Sequence, residues 1–380
     1  MSNKVSCPYK PANSWETVFL SKEKEVYRIP ALFYDSDKKL FVAFAEQRRT
    51  TNDASAEMLV MRMGTLKMEA DSDKRSVEWL ELKPVKEAYV CGYRSMNPCP
   101  VYEKTTKTLF LFFICVMEGV SECWQRFRGR NRTRLCYITS KDAGQSWSGV
   151  KDLTCLHEIK NWATFAVGPG HGIQTETGRL IVPLYAYTPC KPLYLNTPYA
   201  MYLYSDDNGG TWQFSSRLRT KSVECEMAEV SGEAGLKFIY CNARSEGGHR
   251  VEAVDKNNGA GFVTLPPAEK LVETGKGCQG SVLSFPPYPS QNHNQWLLFT
   301  HPSDKSKRIN LGVYLNKSPT DPYAWSKPWI ISSGPSGYSD LAYIHDGWFA
   351  CLVERGEQRE TEQIACVVFH YDEVKRGIGE

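Results

Sequence analysis

Three arginines in this chain sit in company that suits an anion better than open water. Arg28 lies in YRIP, Arg244 in NARS and Arg308 in KRINLG, each at or near the end of an apolar stretch. Taken singly, each is best explained by a carboxylate partner at the surface. Arg28 between Tyr27 and Ile29-Pro30, and Arg244 after FIYCNA, fit that explanation poorly. A guanidinium is costly to bury unless an anion meets it. Three converging guanidiniums make a bidentate clamp for a carboxylate or phosphate.

The elements that must bring them together are short strands. SKDAGQSW (Ser140 to Trp147) and SDDNGGTW (Ser205 to Trp212) both spell Ser-x-Asp-x-Gly-x-x-Trp, 65 residues apart, and DKNNGAGF (Asp255 to Phe262) is a worn third copy. Asp and Asn bond nearby backbone N–H groups, Gly supplies positive φ, and the aromatic tucks under the hairpin. TLFLFFICV (Thr108 to Val116), RLIVPLYAY (Arg179 to Tyr187), LKFIYCNAR (Leu236 to Arg244) and QWLLFTHP (Gln295 to Pro302) lie around the turns. They are β-branched or aromatic and bounded by turn residues, as strands are. A repeat of this length implies one small sheet per unit, and 380 residues hold roughly six or seven units, within the four to eight blades of a β-propeller. QIACVVFHY (Gln363 to Tyr371) reads as a strand closing the ring against the N-terminal segment, and FPPYPSQNHN (Phe285 to Asn294) as a loop. The expectation is an all-β chain forming one propeller domain over residues 1–380.

Composition narrows the function. Forty-six basic and 43 acidic residues leave a net charge of +3, so no overall field favours nucleic acid. Thirteen cysteines without a CxxC pair, and an N-terminal MSNKVSCPYK lacking an apolar core, predict reduced thiols in a chain outside the secretory pathway. The sequons at Asn131 and Asn316 are then chance matches. Seven histidines show no HExxH spacing, GPGHG (Gly168 to Gly172) lacks the third glycine of a dinucleotide loop, and GQSWSG lacks the hydrolase elbow spacing. No metal or cofactor is predicted.

An ordered set of motifs resembles the exo-α-sialidases (neuraminidases) of animals. Besides YRIP, the turns and the arginines, it includes FAEQR (Phe44 to Arg48), RSMNPCP (Arg94 to Pro100), FAVGPGHG (Phe165 to Gly172) and VPLYAY (Val182 to Tyr187). VECEMAEV (Val223 to Val230), GCQGS (Gly277 to Ser281) and GYSDL (Gly337 to Leu341) complete it, from about Tyr27 to Phe369. The resemblance implies a six-bladed β-propeller whose Arg28, Arg244 and Arg308 grip the sialic acid carboxylate, with Glu354 orienting Arg28. A carboxylate nucleophile would be repelled by that substrate anion, and sialidases are the tyrosine-nucleophile exception among glycosidases. By resemblance Tyr338 is the nucleophile, Glu229 its base and Asp53 the general acid/base. Arg48 and Glu46 flank the acid loop, Met96 and Asn97 match the N-acetyl pocket, and Glu122, Tyr185, Tyr187 and Gln279 match groups that meet the glycerol chain or upper ring.

LFFICV, GRNRTRLC, KPWIISSGPSGYSDLA and Glu226, where the cytosolic branch tends to carry Gln, resemble the membrane-associated, ganglioside-preferring branch of vertebrate sialidases. The short VLSFPPYPSQNHN after GCQGS lacks the long insertion common there, so the cytosolic type stands as the alternative. The implied partners are sialylated glycolipids and glycoproteins, with peripheral membrane contact and no nucleic acid. A non-catalytic sialic-acid-binding propeller would need the arginines but not Tyr338, Glu229 and Asp53.

Overall fold

The computed structural model describes residues 11–12, 14–68, 74–190, 195–232, 235–256, 261–289 and 295–380. The chain opens with β1 (Glu16–Leu20), whose partner is the last strand. The first sheet follows as β2 (Val26–Asp35), β3 (Leu40–Arg48), β4 (Ala56–Met68) and β5 (Arg75–Trp79), with β6 (Lys83–Pro84) also on β4. The second contains β7 (Tyr93–Glu103), β8 (Thr108–Met117), β9 (Thr133–Ser140) and β10 (Lys151–Asp152), and a short helix α1 (Glu122–Arg128) bridges β8 and β9.

The third sheet runs β11 (Thr164–Val167), β13 (Leu180–Cys190), β14 (Leu195–Ser205), β15 (Gln213–Phe214), with β12 (Ile173–Gln174) also on β13. The fourth runs β16 (Cys225–Ser231), β17 (Lys237–Ala243), β18 (Val251–Asp255), β19 (Phe262–Thr264). The last comprises β20 (Ser281–Phe285), β21 (Trp296–Pro302), β22 (Ile309–Asn316), β23 (Trp329–His345), β24 (Trp348–Arg355) and β25 (Gln363–His370), and β1 completes it as a seventh strand. Long β23 pairs with β22 through Trp329 to Pro335 and with β24 through Ser336 to His345. Helix α2 (Tyr371–Ile378) ends the chain.

Apolar faces close these sheets into a propeller-like ring. Leu111 and Phe113 of the second sheet pack with Phe44 and Leu59 of the first, and Phe112 and Leu135 pack with Leu184 and Leu203 of the third. Ile181 and Tyr202 meet Met227 and Cys241 of the fourth, whose Val230 and Tyr240 meet Val282 and Phe299 of the last. Ala350 and Leu352 then return to Phe41 and Val60 of the first sheet. The last sheet also folds on itself, Leu298 and Val313 packing with Phe349 and Val367. The expected closing strand is present, with Glu16 opposite Cys366.

Both intact repeated turns are built alike. Ser140 and Ser205 each donate to the Asp two residues on at 2.7 Å and accept the N–H of Gly144 and Gly209 at 2.8 Å. Trp147 packs edge-on against Phe44, and Trp212 against Phe112. The centre of the third copy, 257–260, lies outside the described residues, as do MSNKVSCPYK and 290–294 of the proline-rich loop.

Candidate active site

A cavity of about 490 Å³ opens where the inner strands begin, and Arg28, Arg244, Arg308 and Tyr338 line it together. Arg28 reaches it because β2 bulges there. The register slips between Arg28 and Ala31, and Ile29 has φ of 61°, costly for a β-branched residue. Glu354 holds the distortion. Its carboxylate accepts the Ile29 N–H at 2.8 Å, Arg28 Nε at 2.7 Å, Arg28 Nη2 at 3.1 Å and the Tyr338 N–H at 3.2 Å.

The next inner strand repeats the device. β7 slips between Met96 and Cys99, Asn97 has φ of 56°, and its N–H donates to Glu46 at 2.7 Å. Glu46 also takes Arg48 Nε at 2.7 Å. In each case a positive-φ residue before proline is tied to a buried carboxylate that also fixes an arginine. Such backbone strain costs about 1–3 kcal/mol and persists only where the surroundings over-determine it.

Tyr338 stands at the floor, 6% exposed. Its hydroxyl donates to Glu224 Oε1 and accepts from Arg244 Nη1 at 3.1 Å, and Arg244 Nη1 also meets Glu224 Oε2 at 2.8 Å. Arg28 and Arg308 lie 5.5 and 5.3 Å from the centre of its ring. Arg308 is braced by the Gly277 carbonyl at 3.0 Å. Burial and the charge of Glu224 hold the phenol well above its usual range, while Arg244 and Arg308 pull the other way. Burial also disfavours a charged Arg28, but Glu354 outweighs it and secures the guanidinium.

Asp53 lies on the cavity wall in a short turn after β3, its side chain 70% exposed. Arg48, itself buried, grips it at 2.6 Å. Met96, Asn97, Glu122, Tyr185 and Tyr187 also line the cavity. Arg126 of α1 lies 4.3 Å over the Tyr187 ring and 3.4 Å from Glu122. Glu46 and Glu354 do not line it and stand behind the arginines, fully buried.

Two expectations are corrected. Glu229 is not beside Tyr338. It lies five residues beyond Glu224 along the same chain segment, about 16 Å at strand rise and on the opposite face, since five is odd. It lines a second cavity of about 690 Å³ at the far ends of the inner strands and accepts the Glu176 N–H at 2.8 Å. Gln279 does not reach the first cavity either. Its amide donates to the Ser339 and Pro169 carbonyls at 2.9 and 3.3 Å and to Glu226 at 3.2 Å, and accepts the Ser339 N–H at 3.0 Å, which leaves it a buried cross-brace.

Glu226 shares that buried layer. Together with Asp340 it surrounds His171, whose Nδ1 is 2.7 Å from Asp340 and 3.7 Å from Glu226. Burial disfavours the imidazolium, but the two carboxylates overcome it and raise His171 to about 9. Glu226 therefore stands apart from the first cavity. Three side chains that do line the site, Glu224, Arg126 and Lys221, were not singled out from sequence. Glu224 stands one residue before β16, and its place among Glu224, Glu226 and Glu229 is set by where that strand starts.

Comparison with known proteins identifies the family. Residues 38–351 match the family model described as a BNR repeat-like domain. Human Sialidase-3 is 43% identical over 92% of this chain and 90% of its own length, and Cricetulus griseus Sialidase-2 is 44% identical over 92% and 94%. A Trypanosoma rangeli sialidase in complex with 2,3-difluorosialic acid, described as a covalent intermediate, superposes with a TM-score of 0.71 at 18% identity. That match covers 96% of this chain and 60% of the other, and it supports the shared fold. The chain belongs to the sialidase family of glycoside hydrolases.

Proposed function

We propose that the protein is a retaining exo-α-sialidase that removes terminal α-linked sialic acids from gangliosides, glycoproteins and oligosaccharides, with Tyr338 as nucleophile. The reading includes a single six-bladed propeller over residues 1–380, with β23 shared between two blades of the seven-stranded sheet. The packing of that sheet's two halves against each other supports the sixth blade.

One observation carries the mechanism: the Tyr338 hydroxyl is bonded to Glu224 inside a ring of three guanidiniums. A substrate carboxylate held by the arginines would sit beside the reacting carbon. A carboxylate nucleophile about 4 Å away would face roughly 4 kcal/mol of repulsion at an effective dielectric of 20, about a thousandfold in rate. A neutral phenol avoids this, but its raised pKa requires that its proton leave during attack. Glu224 takes that proton as the tyrosyl oxygen bonds to the anomeric carbon. Asp53 protonates the departing glycosidic oxygen, then removes a proton from the water that attacks the same carbon. The tyrosyl oxygen leaves and recovers its proton from Glu224. Two inversions give net retention.

The preference for gangliosides and a peripheral place on the membrane rest on the resemblance to the membrane-associated branch. Among the described residues no helix is long and apolar enough to cross a membrane. A soluble-substrate enzyme remains the second reading, supported by the equal likeness to Sialidase-2. The test is release of a fluorescent aglycone from an aryl α-sialoside. Wild type should turn over and Tyr338→Phe should lose at least a thousandfold in kcat; an unaltered variant would remove Tyr338 from the role.

A further inference from the structure

Helix α1 presents its large apolar side chains away from the protein. Ser121 caps its start, accepting the Trp124 N–H at 3.1 Å, and Gly129 ends it with φ of 60°. Its inward residues are polar. Glu122, Gln125 and Arg126 line the catalytic cavity, and Gln125, the helix's buried residue, accepts the Arg132 N–H at 2.5 Å and the Thr133 hydroxyl at 3.0 Å. Trp124 and Phe127, three positions apart on one outer face, are 38% and 85% exposed. An almost bare phenylalanine on a helix held by its polar side is the reverse of a core-facing amphipathic pattern.

The surroundings say what would cover it. From Ser121 to Thr133 the chain carries Arg126, Arg128, Arg130 and Arg132 against one acid, Glu122. Arg126 is engaged with Glu122 and Tyr187. Arg128 and Arg130 are exposed and free of ion pairs among the described residues. Aromatic residues flanked by arginines on an exposed helix suit the boundary between headgroups and acyl chains of an anionic bilayer.

We propose that the outer face of α1, with Phe127 and Trp124 as the apolar wedge and Arg128 and Arg130 as charge contacts, docks on an anionic lipid surface. Because the inner face of the same helix lines the cavity, docking there brings sugar headgroups of that surface to the rim of the site. The inference rests on the glycolipid reading only for its purpose, not for the contact itself.

The experiment uses the full chain and sedimentation with two kinds of vesicle, phosphatidylcholine alone and phosphatidylcholine with phosphatidylserine. Wild type should pellet with the second and much less with the first, and binding should fall with salt. Phe127→Asp should weaken it at least tenfold, and Arg128→Glu with Arg130→Glu about fivefold or more per site. Phe127→Trp should retain it. Turnover of a soluble aryl sialoside should stay within about twofold of wild type in all of these, which shows that they fold. Binding that is absent in wild type, or equal in Phe127→Asp, the charge variant and wild type, overturns the proposal. Equal turnover of gangliosides and soluble sialosides by a chain that still docks through α1 would instead sink the glycolipid preference.

Discussion

The phenol of Tyr338 donates a hydrogen bond to Glu224, 114 positions earlier in the chain, and both groups share Arg244. In the proposed mechanism that contact makes Glu224 the base. Glu224→Gln should lower kcat by about 10²–10⁴, the usual worth of a positioned acid or base. Glu229→Gln, altered at the far cavity, should leave kcat within about twofold. Steady-state kinetics on both variants check the assignment, and comparable losses in the two would contradict it.

Asp53 is held to Arg48 at 2.6 Å and its side chain is largely exposed, which leaves it open to the leaving group that the proposed mechanism brings to the cavity wall. Asp53→Asn should cost most where the leaving group is poor. A natural sialyl glycoside should lose about 10²–10⁴ in kcat/KM, which reports the step that forms the tyrosyl intermediate. An aryl sialoside with an acidic phenol should lose much less, because its oxygen departs without a proton. Equal losses on the two substrates would remove Asp53 from the acid's role.

Glu354 and Arg308 should separate stability from binding. Glu354 satisfies Arg28 and two backbone N–H groups while fully buried. Glu354→Ala therefore leaves a buried guanidinium unpaired, at about 3–5 kcal/mol, and should lower Tm by several degrees. Arg308→Lys keeps the charge but loses the planar fork. It should raise KM by about tenfold or more with Tm nearly unchanged. Thermal melts beside substrate titrations distinguish the pair.

Two buffered groups give opposite pH signatures. His171 is raised to about 9 against an unfolded value of about 6.5. Its stabilisation is thus fully present below about 6.5 and lost as pH rises through about 9. Asp207 is lowered to about 2 by the Thr211 N–H and the Ser205 and Thr211 hydroxyls, so its contribution is present above about 4 and lost as pH falls through about 2. The Tm difference between wild type and His171→Gln should shrink from pH 6 to 9.5. That for Asp207→Asn should shrink from pH 6 to 2. Differences constant across either range would contradict the assignment.

Arg28 and Arg244 were legible because a surface carboxylate explains their apolar surroundings poorly, whereas Arg308, beside Lys307, joined them only through the family resemblance. The ring was legible because Ser140 and Ser205 open the same turn and the strands between are short. The base was not: Glu224, Glu226 and Glu229 lie within six positions, and only the start of β16 at Cys225 decides which one faces the cavity. Gln279 was misplaced because a buried amide saturated by the Ser339 and Pro169 backbone looks, in sequence, like one awaiting a ligand. Helix α1 escaped notice for a related reason. Its seven residues turn Trp124 and Phe127 outward, so no core-facing period marks it.

The most direct test is chemical. The full chain should be incubated with 2,3-difluorosialic acid, quenched, digested, and its peptides read by mass spectrometry. The sugar is predicted on the peptide that contains Tyr338, with labelling slowed in Glu224→Gln and absent in Tyr338→Phe. A label on Asp53 or Glu224, or one that forms unchanged in Tyr338→Phe, would contradict the account.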